Sequence, residues 1–149
     1  MESKTTKELM DILEQVHSEA DLDRFIENER MSSFKSFREY LLSLEKFSQQ
    51  KLAEIVRNSL QKREYAYEIL SLSSTKKPGR DRLLSICIAA GLDLNETQRC
   101  LEIEQIAGLY VRNERDAVII FGINHQKSVS EINDLLTARN FPQLEGTGE

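Results

Sequence analysis

Three segments of the chain begin with the same signal. Thr5 with Glu8, Asp93 with Glu96 and Ser128 with Glu131 each set a capping residue three positions ahead of a glutamate, next to an apolar run. Behind them apolar residues recur at spacings of three and four, as in Leu9, Ile12, Leu13 and Val16, the period of a helix buried on one side. No segment sustains a period of two, so the chain reads as all-α. Asp21 is expected to cap a second helix with Leu22, Phe25 and Ile26 on its apolar side. A third helix is expected over residues 34–46, burying Phe37, Leu41 and Leu44, and Ser48 should cap the next, through Leu52, Ala53, Ile55 and Val56. The pattern slips at residues 57–60 and resumes with Tyr65, Ala66, Ile69 and Leu70. Residues 71–79, SLSSTKKPG, form the clearest loop, because serines and Pro-Gly favour turns. A strongly apolar helix follows over residues 80–90, with Gly91 placed to supply its left-handed end. Asn113 should open a helix through Val118, Ile119, Phe121 and Ile123, and the last helix carries Ile132, Leu135 and Leu136. Beyond Phe141 and Pro142, residues 145–149 are expected to fray.

The 149 residues include 40% hydrophobic and 30% charged side chains, enough apolar material for a real core. Cys87 and Cys100 both lie in apolar stretches and read as core residues of a reducing cytosol, not as a disulfide framework or zinc site. The apolar run LLSICIAAGL at residues 83–92 is half the length needed to span a bilayer, and MESKTTKELM has no signal-peptide character. A cytoplasmic protein without a membrane partner is expected. His17 and His125 have no nearby ligand or catalytic companion, and there is no phosphate loop or nucleophile motif. No metal, cofactor or enzymatic activity is expected.

The net charge of −5 points away from nucleic acid, yet its distribution does not. Residues 1–48 carry 7 basic and 11 acidic side chains, residues 49–84 carry 8 and 4, and residues 85–149 carry 5 and 10. One basic window of net +4 lies between acidic flanks. A weaker feature is an internal echo at an offset of 35, in which RDRLLSICIAAGLDLNETQRCL from Arg80 is matched by RDAVIIFGINHQKSVSEINDLL from Arg115. It predicts two helical hairpins side by side.

The basic window contains two short helices with a tight connection, followed by the apolar helix. That is the order of a helix-turn-helix, in which one helix braces the sugar-phosphate backbone and the next enters the major groove. The second helix, starting near Gln61, would present Gln61, Lys62, Arg63 and Glu64, with Tyr65, Ile69 and Leu70 inward.

FREYLLSLEKFSQQKLAEIV, KREYAYEIL and KKPGRDRLLSICIAAGLDLNETQRCL together resemble the lambda-repressor/Cro-like helix-turn-helix regulators of bacteria and phages, over about residues 34–103. The resemblance implies a five-helix bundle whose second and third helices bind double-stranded DNA. By position, Lys62, Arg63, Glu64 and Tyr67 would face base edges, and Gln49, Gln50, Lys76, Lys77 and Arg80 would contact the DNA backbone. The chain departs from the family at the turn, where residues 57–60 contain no glycine, the connection is about one residue longer, and Asn58 is the residue suited to a left-handed conformation.

The expected organisation is an N-terminal helical arm at residues 1–33, the helix-turn-helix domain at 34–105, a C-terminal helical pair packed on it at 106–144, and the tail at 145–149. The function expected is a sequence-specific transcriptional regulator. A homodimer, or a protein partner held by the acidic flanks or the C-terminal pair, would fit it. The alternative is a protein-interaction module that keeps the bundle without binding DNA, favoured by the missing turn glycine, Glu64 and the acidic total.

Overall fold

A computed structural model describes residues 5–32 and 34–147. It contains ten helices and no strand among those residues, and none of the helices is long and apolar enough to cross a membrane. The chain divides into two units, residues Met1–Lys35 and Ser36–Glu149.

The first unit holds α1 (Thr6–Glu14) and α2 (Glu19–Ser32). Thr5 closes the expected capping box, its hydroxyl accepting from the Glu8 amide at 3.2 Å while Glu8 accepts from the Thr5 amide at 3.4 Å. The second helix starts earlier than expected. Ser18, not Asp21, supplies its cap by accepting from the Asp21 amide at 3.1 Å, and Asp21 instead pairs with Arg24. Leu9, Ile12, Val16 and Phe25 line the groove between the two helices.

The second unit comprises α3 (Phe37–Ser43), α4 (Glu45–Ser48), α5 (Leu52–Asn58), α6 (Arg63–Leu70), α7 (Arg80–Ala89), α8 (Leu94–Ile103), α9 (Glu114–Asn124) and α10 (Val129–Ala138). The single helix expected over residues 34–46 is two. Ser36 caps its start through the Glu39 amide, and Leu44 turns extended, with φ −90° and ψ 121°, which ends α3 and restarts the chain as α4. Ser48 therefore closes α4, its hydroxyl bonded to the Glu45 carbonyl, and Lys51 is the residue that precedes α5.

The core is organised around α7, in which Leu83, Leu84, Ser85, Ile86, Cys87 and Ile88 are all buried. A helix apolar on every side must be surrounded, and α5, α8 and α10 pack against it. Cys87 and Cys100 are both fully buried, as expected, and free. Phe121 is 48% exposed and its ring lies tilted against that of His125, with centroids 4.3 Å apart. Helix α9 has more apolar residues than its inward face can use.

The internal echo extends to the turns and to many of their hydrogen bonds. Gly91 and Gln126, 35 residues apart, are both left-handed, with φ +76° and +57°, and so are Gln105 and Asn140, with φ +59° and +65°. Each follows a helix and closes the same six-residue turn, Leu92 to Cys87 and Lys127 to Gly122 in the first case, Ile106 to Leu101 and Phe141 to Leu136 in the second. The amide of Leu109 donates to Gln98 Oε1 at 2.7 Å, and that of Leu144 to Asn133 Oδ1 at 3.0 Å.

The two hairpins join by exchange. Arg80 donates to both carboxylate oxygens of Asp116, at 3.0 and 2.8 Å, and Arg115 to both of Asp81 at the same distances. Arg80 also holds the carbonyls of Ala107 and Gly108, while Arg115 holds those of Pro142 and Gln143. Finally the amide of Tyr110 reaches Asp116, and that of Glu145 reaches Asp81. Every bond in this set has its counterpart at an offset of 35. The C-terminal pair and the preceding helices are one unit because these reciprocal bonds cross between them.

The same bonds correct the expectation for the tail. Glu145 is tied to Asp81, Leu144 is 1% exposed, and Thr147 is buried with its hydroxyl accepting from Asn133 Nδ2 at 2.8 Å. Residues 145–147 are docked by these bonds, whereas of the equivalent residues 110–112 it is the Tyr110 amide that makes the matching one. Residues 148 and 149 lie outside the described ones.

Candidate nucleic-acid interface

Helix α6 begins at Arg63, two residues later than expected. Ala66, Ile69 and Leu70 are buried beneath it, which leaves Arg63, Glu64 and Glu68 exposed and Tyr67 half-buried on the opposite side. This is the i, i+1, i+4, i+5 pattern of a helix with one free face. Lys62 stands at the N-cap and makes no capping bond with its side chain, and neither does Lys51 ahead of α5. The first-turn amides of both helices are thus unclaimed by side-chain caps, whereas α8, α9 and α10 are capped by Asp93, Asn113 and Ser128. Helix starts of this kind attract anions, through their amides and the helix dipole.

Both ends of α6 are anchored. At its C-terminal end Arg38, buried at 5% exposure, donates to the Ile69 carbonyl and to that of Lys76, tying α6 and the loop after it to α3. At its N-terminal end Gln61 is buried, at 6% exposure, and bonded to Ser85, Arg82 and the Glu145 carbonyl. The expectation that Gln61 is an exposed donor is corrected: its polar atoms are spent on residues 21 to 84 positions away in sequence.

The side chains around α6 form two cation–ring groups. Arg63 lies over the Tyr67 ring, 5.6 Å from its centroid. The Tyr65 ring has Lys76 at 5.0 Å and Arg82 at 4.9 Å. Burial raises the pKa of the Tyr65 hydroxyl, with the charge of Arg82 opposing the rise. Lys76 also pairs with Glu68 at 3.5 Å. Tyr65 and Arg82 were absent from the expected site, although Arg82 sits in the basic window two residues after Arg80.

Among the described residues, Lys51, Arg57, Lys62, Arg63 and Lys77 are exposed and have no carboxylate within ion-pair distance. Gln49 and Gln50 are exposed but turned to internal partners. Gln49 Nε2 donates to Glu45, and Gln50 Nε2 to the carbonyls of Lys46 and Ala90. Arg80, expected to hold phosphate, makes four hydrogen bonds inside the fold and is not free to do so. The left-handed residue of the turn is Leu60, with φ +59°, while Asn58 ends α5. No group of three or more His, Cys, Asp or Glu side chains among the described residues is arranged to hold a metal ion.

Comparison with known proteins gives no relative from which a role could be carried over: no family model, no curated protein and no solved structure matches this chain.

Proposed function

We propose that the chain is a sequence-specific DNA-binding regulator that uses α5 and α6 in the manner of the lambda-repressor-like helix-turn-helix proteins its sequence resembles. The observation that carries this reading is the N-terminal end of α6, where Lys62 and Arg63 stand exposed, unpaired with any carboxylate among the described residues, beside a helix start without a side-chain cap. Arg63, Glu64 and Tyr67 would face base edges in the major groove. Lys62 lies at the edge of the same set and would reach a base or the adjoining phosphate. Lys77 and Lys76 would hold the flanking backbone, with Lys76 exchanging Glu68 for phosphate. Arg80, Gln49 and Gln50 have no part in it beyond supporting the fold. A dimer would set two such helices about 34 Å apart on successive grooves.

The test is selection of bound fragments from genomic DNA, followed by titration at several salt concentrations. A defined site should emerge, with affinity that falls as salt rises by about 0.9 in log–log slope for each phosphate contact. Arg63→Ala should relax or abolish site choice, while Lys77→Ala weakens binding to all sequences and flattens the slope by about one contact. Absence of any enriched fragment refutes the reading. The second reading, a protein-interaction module, is favoured by Glu64 and Glu68 on the exposed side of α6, where a phosphate backbone would meet negative charge.

A further inference from the structure

The turn between α5 and α6 contains a leucine in a backbone conformation that suits glycine. Leu60 has φ +59°, where an L side chain crowds the adjoining carbonyl. Such a residue persists when its surroundings over-determine it. On one side, Ser59 is wholly buried, its hydroxyl donating to the Val56 carbonyl at 2.7 Å and accepting from the Gln61 amide at 3.2 Å. On the other, the Gln61 carboxamide is held three ways. Its Nε2 donates to Ser85 Oγ at 3.0 Å and to the Glu145 carbonyl at 2.8 Å, and its Oε1 accepts from Arg82 Nη1 at 3.2 Å.

We propose that Glu145 and Gly146 act as a clamp on this turn, making the C-terminal segment a positioning element for the end of α6 that carries Lys62 and Arg63. The inference rests on the DNA-binding reading of that end. The fit is close: Gly146 has φ +83°, and a Cβ there would stand 2.2 Å from Gln61 Oε1 and 2.7 Å from Arg82 Nη1. The internal repeat supplies an independent comparison. The residue 35 positions earlier is Val111, 69% exposed and without a positive φ. The hairpin architecture therefore does not require glycine at that position; the close approach to Gln61 and the left-handed backbone of Gly146 do. Glu145 is in turn fixed to Asp81, and Leu144 to Asn133 of α10. The second hairpin thereby supports the turn that the family pattern would stabilise with glycine.

The experiment uses the full-length protein and two readouts, amide hydrogen exchange at residues 60–65 and affinity for the selected DNA fragment. Gly146→Ala adds a methyl group against two flexible side-chain ends, which displaces them and opens the clamp. Gln61→Ala removes the clamped group without adding an atom, and carries both readouts if Gly146→Ala does not fold. Each variant should speed exchange at residues 60–65 and weaken DNA binding about tenfold. Leu60→Gly, which removes the need for the clamp, should restore both in the Gly146→Ala background. Gln126→Gly relieves a similar left-handed residue, φ +57°, in the α9–α10 turn, and should restore neither. Unchanged exchange in the folded variants, or equal rescue by Gln126→Gly, overturns the clamp. If the wild-type protein selects no DNA, the DNA-binding reading falls while the exchange readout still decides the clamp.

Discussion

Asp116→Asn should be among the most damaging single changes outside the apolar core, and the structure indicates by how much. The Asp116 carboxylate is 7% exposed and accepts three hydrogen bonds, two from Arg80 and one from the Tyr110 amide. Asparagine keeps the shape but turns an NH₂ group toward donors and leaves a guanidinium without its counter-charge. Breaking a fully buried pair costs about 3–5 kcal/mol, and an exposed pair about 0–1. Arg80 is 27% exposed, so water recovers part of the loss, and about 2–3 kcal/mol is expected. Asp81 makes the equivalent bonds with the exposure divided differently, 18% for the carboxylate and 20% for Arg115, so Asp81→Asn should cost a similar amount, about 2–3 kcal/mol. With a urea dependence of about 1–3 kcal/mol per molar, the midpoint for Asp116→Asn should move by roughly 1 M or more. The pH dependence gives a second signature. Burial alone would raise the pKa of Asp81 and Asp116, but hydrogen bonds from Arg115 and the Glu145 amide, or from Arg80 and the Tyr110 amide, overcome it and hold both carboxyls below their ordinary value. Groups depressed in the folded state contribute stability above the unfolded pKa of about 4 and lose it as pH falls through the folded one. Wild-type stability should therefore drop more steeply below about pH 4 than that of either variant. A midpoint equal to wild type at pH 7 for either variant refutes the argument.

Other positions give separate expectations. A Cβ at Gly122 would stand 2.4 Å from Ile132 Cγ1, so Gly122→Ala should cost about 1–3 kcal/mol through overpacking of α9 on α10, read as a lowered urea midpoint. At Gly91 nothing lies within 4 Å and φ is +76°, so Gly91→Ala should cost only the backbone penalty of about 1 kcal/mol, while Gln126→Gly at the equivalent turn gains a similar amount. A hydrogen bond with Cys100, together with burial, holds the Cys87 thiol well above its usual pKa. Its modification by a thiol reagent should accordingly follow unfolding, with a rate that rises with urea in step with the loss of helical signal.

The parts of the fold that were legible in the sequence are those set by neighbours three or four residues away. Thr5, Asp93 and Ser128 act where their glutamates said they would, Asn113 caps α9, and Gly91 is left-handed. The break at Leu44 was not legible, because a leucine at helical spacing carries no sign that its backbone will be extended. Long-range commitments were harder still. Arg80 and Lys77 look alike as cations of one basic window, yet Arg80 is claimed by Asp116, 36 residues away, and Lys77 by no carboxylate among the described residues. The Arg-Asp echo hinted at the first outcome without showing that the pairs cross from one hairpin to the other. Gln61 was misplaced for the same reason, since its partners Ser85, Arg82 and Glu145 come together only in the folded chain.

The net charge of −5 is a poor measure of the field at α6. Charges farther apart than about 8–10 Å are screened at physiological salt, and many acids of the second unit already face a cation. Asp81 is matched by Arg115, Asp116 by Arg80, Glu96 by Lys46, Glu102 by Arg99 and Glu145 by Arg82. Within the basic window, Glu68 is matched by Lys76. That leaves Glu54 and Glu64 against Lys51, Arg57, Lys62, Arg63 and Lys77, a local excess of positive charge that the total conceals. Glu64 then acquires a specific consequence on the DNA-binding reading. A carboxylate between Arg63 and Tyr67 is repelled by phosphate wherever the protein rests on unrelated DNA, and is compensated only where a cytosine amino group donates to it. The same residue that weakens general affinity would widen the gap between the right sequence and the wrong one, so on this reading the chain would discriminate without binding every duplex it meets.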